Sequence, residues 1–153
     1  MNRRTQRGVL ASVALTLAGV AVAADAPRVS NAWARATPPG AAVGAVYLSI
    51  EGAARPDRLL GGASPRASSV ELHAVDTSAG VTRMRPAGAM DIPAGGRVEL
   101  APQGTHLMLL GLTAPLHAGE SLPLALRFEH AGEIDIEVEV RAATSGNGTV
   151  PRT

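Results

Sequence analysis

The chain has 153 residues, no cysteine, 14 basic and 13 acidic side chains, and a formal net charge of +1. That length suits one compact domain. The lack of cysteine excludes disulfides, thiolate nucleophiles, iron–sulfur clusters, and zinc or blue-copper centres built on Cys. Every basic residue is an arginine, and the arginines are scattered, so no basic stripe for nucleic acid is present.

Residues 1–23 read as a secretory signal peptide. Arg3, Arg4 and Arg7 open it, the apolar run GVLASVALTLAGVAV follows, and Ala21-Val22-Ala23 supplies a small-x-small cleavage site. The run falls short of the ~20 apolar residues a bilayer span requires. The mature form is therefore expected to be exported and not membrane-spanning, with a domain over 24–143 and a small, polar tail over 144–153. Removing three of the 14 arginines and none of the 13 acids takes the net charge from +1 to −2. A near-neutral mature chain does not favour charge-driven binding to nucleic acid or anionic lipid.

The mature sequence reads as short strands. In chain order the candidates are Val43 to Ile50, Ser68 to Val75, Val81 to Arg85, Arg97 to Leu100, Thr105 to Leu110, Ser121 to Phe128 and Glu133 to Val140. The last two alternate most clearly: Leu122, Leu124, Leu126 and Phe128, then Ile134, Ile136, Val138 and Val140, each set facing one way. His130-Ala131-Gly132 joins them as a hairpin. Gly/Pro punctuation such as Thr37-Pro38-Pro39-Gly40 and Pro93-Ala94-Gly95-Gly96 separates the others. No window sustains helical spacing, so an all-β sandwich or barrel is expected.

Sulfur and imidazole follow a frame: His73, ten residues, Met84, twenty-one residues, His106, one residue, Met108. Strand geometry puts His106 and Met108 on one face, about 7 Å apart along the strand. His73 shares a face with Glu71, opposite Val70 and Leu72, and so projects away from the core. Two imidazoles with two neutral, soft thioethers suit Cu(I) better than Zn²⁺, Ca²⁺ or Mg²⁺. The rival reading makes Met108, inside His-Leu-Met-Leu-Leu, a core filler. Met90 stands as a substitute or outer ligand. His117 and His130 belong to Gly-containing turns and suit solvent.

The frame resembles the H-x10-M-x21-H-x-M signature of the PCu(A)C periplasmic copper chaperones. The resemblance extends from about residue 29 to 141, through Trp33-Ala34-Arg35-Ala36-Thr37-Pro38-Pro39-Gly40, Val43 to Leu48, Val70-Glu71-Leu72-His73 and Met84-Arg85-Pro86. It implies a cupredoxin-like Greek-key β-sandwich or barrel, and one Cu(I) per chain held by His73, Met84, His106 and Met108. It also implies a monomer that delivers copper in the periplasm to cytochrome c oxidase, at the dinuclear copper site of subunit II, alongside a Sco-type thiol protein. Two departures stand out. Ala74 follows His73 where relatives often carry Glu or Met, and the tail after Arg141 lacks His and Met.

Other classes fit less well. A blue-copper electron carrier needs a cysteine. G-x-S-x-G and H-E-x-x-H are both missing, so an enzyme is not expected. A metal-free extracytoplasmic binding module, or a copper store or scavenger for copper tolerance, remains the alternative.

Overall fold

A computed structural model describes residues 25–143. The expected signal peptide (1–23) and tail (144–153) lie outside the described residues. Ten strands follow in chain order: β1 (Arg28–Arg35), β2 (Val43–Glu51), β3 (Asp57–Ala63), β4 (Ala67–Asp76), β5 (Arg83–Pro86), β6 (Met90–Ile92), β7 (Arg97–Leu100), β8 (His106–Leu112), β9 (Ser121–Phe128) and β10 (Gly132–Arg141). One 3₁₀ turn, Ser78–Gly80, precedes β5.

The strands close on themselves. Their order β4-β8-β2-β1-β10-β9-β3 returns to β4 through the β3–β4 pairing, which makes a seven-stranded barrel. Only β1–β10 pairs in parallel among these, and the other ladders are antiparallel. Strands β5, β6 and β7 extend the ladders of β4, β3 and β2. The architecture is all-β, as the alternating apolar pattern predicts, and cupredoxin-like, as the family resemblance implies.

Alternation explains the core. Leu122, Leu124, Leu126 and Phe128 of β9, with Val138 and Val140 of β10, point inward at 3% exposure or less. Val46, Leu48 and Ile50 of β2 and Leu107 and Leu109 of β8 complete the opposite wall. Each fully buried Leu or Val removes apolar surface worth roughly 1.5–3 kcal/mol. With so few aromatics, the core is filled by aliphatic chains alone save for Phe128.

Three strands, β1, β3 and β6, escape the sequence patterns. β3 carries Gly61-Gly62 and does not alternate cleanly, because it pairs with β9, β6 and β4. Gly61 sits at φ +130° where the β3–β9 register slips, and a Cβ on Gly62 would meet the Ala125 carbonyl oxygen at 2.6 Å. The glycines that weaken the strand signal thus allow the barrel to close. β6 spans only three residues. The strand expected at Val81 to Arg85 instead runs Arg83–Pro86, since the 3₁₀ turn ends in a backbone bond from Val81 to Ser78.

Candidate metal centre

His73, His106 and Met108 lie on the neighbouring strands β4 and β8, and Met84 lies on β5 at the other edge of β4. His73 and His106 occupy facing positions in the β4–β8 ladder, and Glu71 faces Met108. Met84 faces Val75 in the β4–β5 ladder. Facing residues of an antiparallel pair point to the same side, as do residues two apart on a strand. All four side chains therefore share the outer face of the β5-β4-β8 segment. Facing Cβ atoms lie about 5 Å apart and diagonal ones about 7–8 Å, so His73 is the immediate neighbour of His106 and a diagonal neighbour of Met84. Three strand segments, β4, β5 and β8, thus supply the set. It lies within one continuous ladder, near the start of β8.

Burial separates the thioethers by role. Met90 packs against the core from β6, beside Leu59, which removes it from the candidate face. Met108 faces away from Leu107 and Leu109 and is half-buried outside the core cluster, so the core-filler reading fails for it. Met84 is 57% exposed. An exposed methionine on an edge strand has no packing role to explain it. His117 and His130 are exposed, as their turns predict.

The imidazoles are held by different partners. His106 is buried at 2% exposure, and its Nδ1 lies 2.9 Å from the Gly104 carbonyl oxygen. A carbonyl only accepts, so the neutral ring donates from Nδ1 and keeps the Nε2 lone pair for a metal. His73 Nε2 lies 3.2 Å from Glu71 Oε2. A carboxylate also accepts, so this ring donates from Nε2 and keeps its lone pair on Nδ1. Glu71 thus gives His73 a polar neighbour that Ala74 does not. Its spacing two residues before His73 put it on the same face, but only the ladder shows it opposite Met108.

Sequence spacing also missed an aromatic row. Trp33 and Tyr47 pair across β1–β2 with ring centroids 4.6 Å apart, and the Tyr47 and His106 centroids lie 6.0 Å apart. Arg141 stacks over Trp33 at 5.5 Å. Tyr47 is only 6% exposed, so the row shields one flank of the His106 ring from water.

Among the described residues, no three His, Asp or Glu side chains assemble as a metal-binding group. The candidate donors on this face include thioether as well as imidazole, a set that suits a soft ion such as Cu(I). Also among the described residues, no helix is long and apolar enough to cross a membrane.

The chain resembles known proteins in both sequence and fold. A family model described as "Putative lipoprotein LpqE-like" matches residues 28–140. "Putative lipoprotein Lxx21020" of Leifsonia xyli subsp. xyli (strain CTCB07) is 39% identical over 127 residues, covering 81% of this chain and 75% of the relative. The copper-bound PCuAC domain from PmoF2 superposes with a TM-score of 0.65 at 31% identity, over 76% of this chain and 92% of that one. The Cu(I) form of DR1885 from Deinococcus radiodurans gives a TM-score of 0.58 at 29% identity, over 76% and 78% of the two chains.

Proposed function

For a chain that belongs to the LpqE-like family and is similar in fold to copper-binding PCuAC domains, we propose the function of an extracytoplasmic Cu(I) carrier. It holds one copper per chain on His73, Met84, His106 and Met108 and passes it to a copper-accepting protein. The observation that carries this reading is the facing His73–His106 pair, with Met108 on the same outer face and Met84 diagonal to His73.

The donor set explains both grip and release. Imidazole and thioether bind Cu(I) without a charged bond, and Glu71 supplies a single negative charge beside the ion. A dithiolate acceptor offers two anionic sulfurs, which hold Cu(I) more tightly. Copper therefore runs from this face to a reduced Cys pair and does not return. Met84, the most exposed donor, is the one an incoming thiolate displaces first.

The finer reading places the protein in the periplasm, with cytochrome c oxidase subunit II as acceptor and a Sco-type thiol protein in the same route. The relatives are named lipoproteins, which supports export.

Anaerobic titration with Cu(I) against a competing chelator tests the carrier. One tightly bound ion per chain, with zinc competing poorly, is expected. Loaded protein is then mixed with the reduced, copper-free domain of subunit II. Full transfer supports delivery. If the acceptor stays empty, the chain is a copper store or scavenger, and if no Cu(I) binds, it is a metal-free module.

A further inference from the structure

The outer face beside the imidazoles continues beyond the metal donors. Val43, Ala45 and Leu110 lie there, because Val43 faces Leu110 and Ala45 faces Met108 across β2–β8, while the alternate residues Val46 and Leu109 turn into the core. Val43 is 43% exposed and Met84 57%. Leu110 and Ala45 are half-buried. An exposed apolar side chain, Val43 on β2, thus borders the donors on the β8 side, away from the exposed donor Met84 on β5.

A cation borders this strip. Ala34 of β1 points inward at 0% exposure, so Arg35 points outward, one residue past the Ala34–Val46 pair that ends the β1–β2 ladder. Its facing residue on β10 is another arginine, Arg141. Arg141 pairs with Glu139 at 3.0 Å and stacks on Trp33. Arg35 makes no ion pair among the described residues, and its Nε is buried with no hydrogen-bond partner. Its terminal nitrogens are not buried and make no hydrogen bond among the described residues, which leaves the charged end of the guanidinium open to an incoming carboxylate.

We propose that Val43, Ala45 and Leu110, with Arg35 at their β1 edge, form the docking surface for the protein that takes the copper. The partner presents an apolar contact beside its own metal-binding cysteines and a carboxylate that pairs with Arg35. This inference rests on the carrier reading above. A small apolar contact with a charged rim is the form of interface that transient transfer complexes use, at under about 1,200 Å² buried. It places the partner's thiolates beside Met108, which Ala45 faces across β2–β8, without contact with the barrel core.

The test uses the mature protein and the variants Val43→Glu and Arg35→Glu, loaded anaerobically with Cu(I). Chelator competition first measures affinity, which both variants should retain, since neither residue belongs to the donor set. Transfer rates are then read with two acceptors, the reduced subunit II domain and dithiothreitol. Each variant should slow transfer to the protein acceptor about tenfold, within the range that interface mutations reach. Arg35→Glu should also reverse the salt dependence of that rate. Transfer to dithiothreitol should stay at the wild-type rate. Unchanged rates to the protein acceptor, with normal Cu(I) affinity, would overturn the docking surface and leave the carrier reading standing. Equal slowing toward dithiothreitol would also overturn it, because the substitutions would then act on the metal site. A wild-type dimer dissolved by Val43→Glu would assign the strip to a second copy of this chain. Failure of the wild type to bind Cu(I) would sink both readings together. Should Arg35→Glu lose its fold by circular dichroism, Arg35→Gln and Val43→Ser carry the same comparison.

Discussion

His73 and His106 face each other across the β4–β8 ladder, yet each ring is tied to its own partner, Glu71 for His73 and the Gly104 carbonyl for His106. The pair is therefore oriented before any metal arrives, so binding spends little on ordering the rings. The thioethers are held less firmly, above all Met84.

That asymmetry gives the first prediction. Met84→Leu and Met108→Leu preserve volume, so unfolding free energy should change by less than about 1.5 kcal/mol in each. Cu(I) affinity should fall by more than about tenfold, the lower end of what losing an outer partner of a metal ligand costs. Met90→Leu is the control, since Met90 packs against the core from β6. Chelator competition and urea denaturation on the same samples separate the two effects. Wild-type affinity in Met108→Leu would remove Met108 from the donor set.

A second prediction concerns which nitrogen binds. The Gly104 bond leaves Nε2 of His106 as the donor, and the Glu71 bond leaves Nδ1 of His73. Nitrogen-15 spectra of the rings should show Nδ1–H retained in His106 and Nε2–H retained in His73 after Cu(I) loading. Glu71→Gln removes the negative charge beside the ion and should lower Cu(I) affinity about 10- to 100-fold. An unaltered affinity would make Glu71 a spectator.

Much of this was legible in the sequence, for physical reasons. Strands β9 and β10 alternate strictly because one face is core and the other water, and the H-x-M spacing fixes two donors on one side of β8. The sulfur and imidazole frame also carried the family resemblance. What remained hidden depends on which strands become neighbours. Trp33, Tyr47 and His106 lie 14 and 59 positions apart in sequence, and only the β1-β2-β8 order brings them into one row. Likewise β3 hides behind Gly61-Gly62, whose value is close backbone approach and not strand propensity.

Acid stability supplies a third prediction, away from the metal face. The buried Asp57 carboxylate accepts backbone N–H bonds from Arg58 at 2.7 Å and from His130 and Ala131 at 2.9 Å. Burial alone would raise its pKa, but these bonds, with help from the His130 charge, bring it below the ordinary 3.8. A lowered folded pKa means the carboxylate stabilises the fold fully above the unfolded value, about 3.9, and loses that effect as pH falls through the folded value. Asp57→Asn should cost about 1.5–3 kcal/mol at pH 7, the range for hydrogen bonds to a charged group. Below about pH 4 the gap from wild type should narrow. Urea denaturation at pH 7 and pH 3 measures it, and a gap of equal size at both would refute the assignment.

The last prediction uses the only tryptophan of the chain as a reporter. Trp33 touches Tyr47 at 4.6 Å between centroids, and Tyr47 lies 6.0 Å from His106. A metal bound at His106 therefore sits one side chain away from the indole's neighbour, within range to change its emission. Cu(I) loading should alter Trp33 fluorescence in proportion to occupancy and saturate at one equivalent. His106→Ala should abolish the change. Met84→Leu should shift it to higher copper concentration but leave its final amplitude intact, because Met84 lies on β5, across β4 from the aromatic row. Arg141→Gln removes the cation over the indole at 5.5 Å and should move the emission of the metal-free protein without changing the copper midpoint. If copper binds at one equivalent and Trp33 emission does not respond, the ion is not on His106, and the outer face of β4 and β8 is not the metal centre.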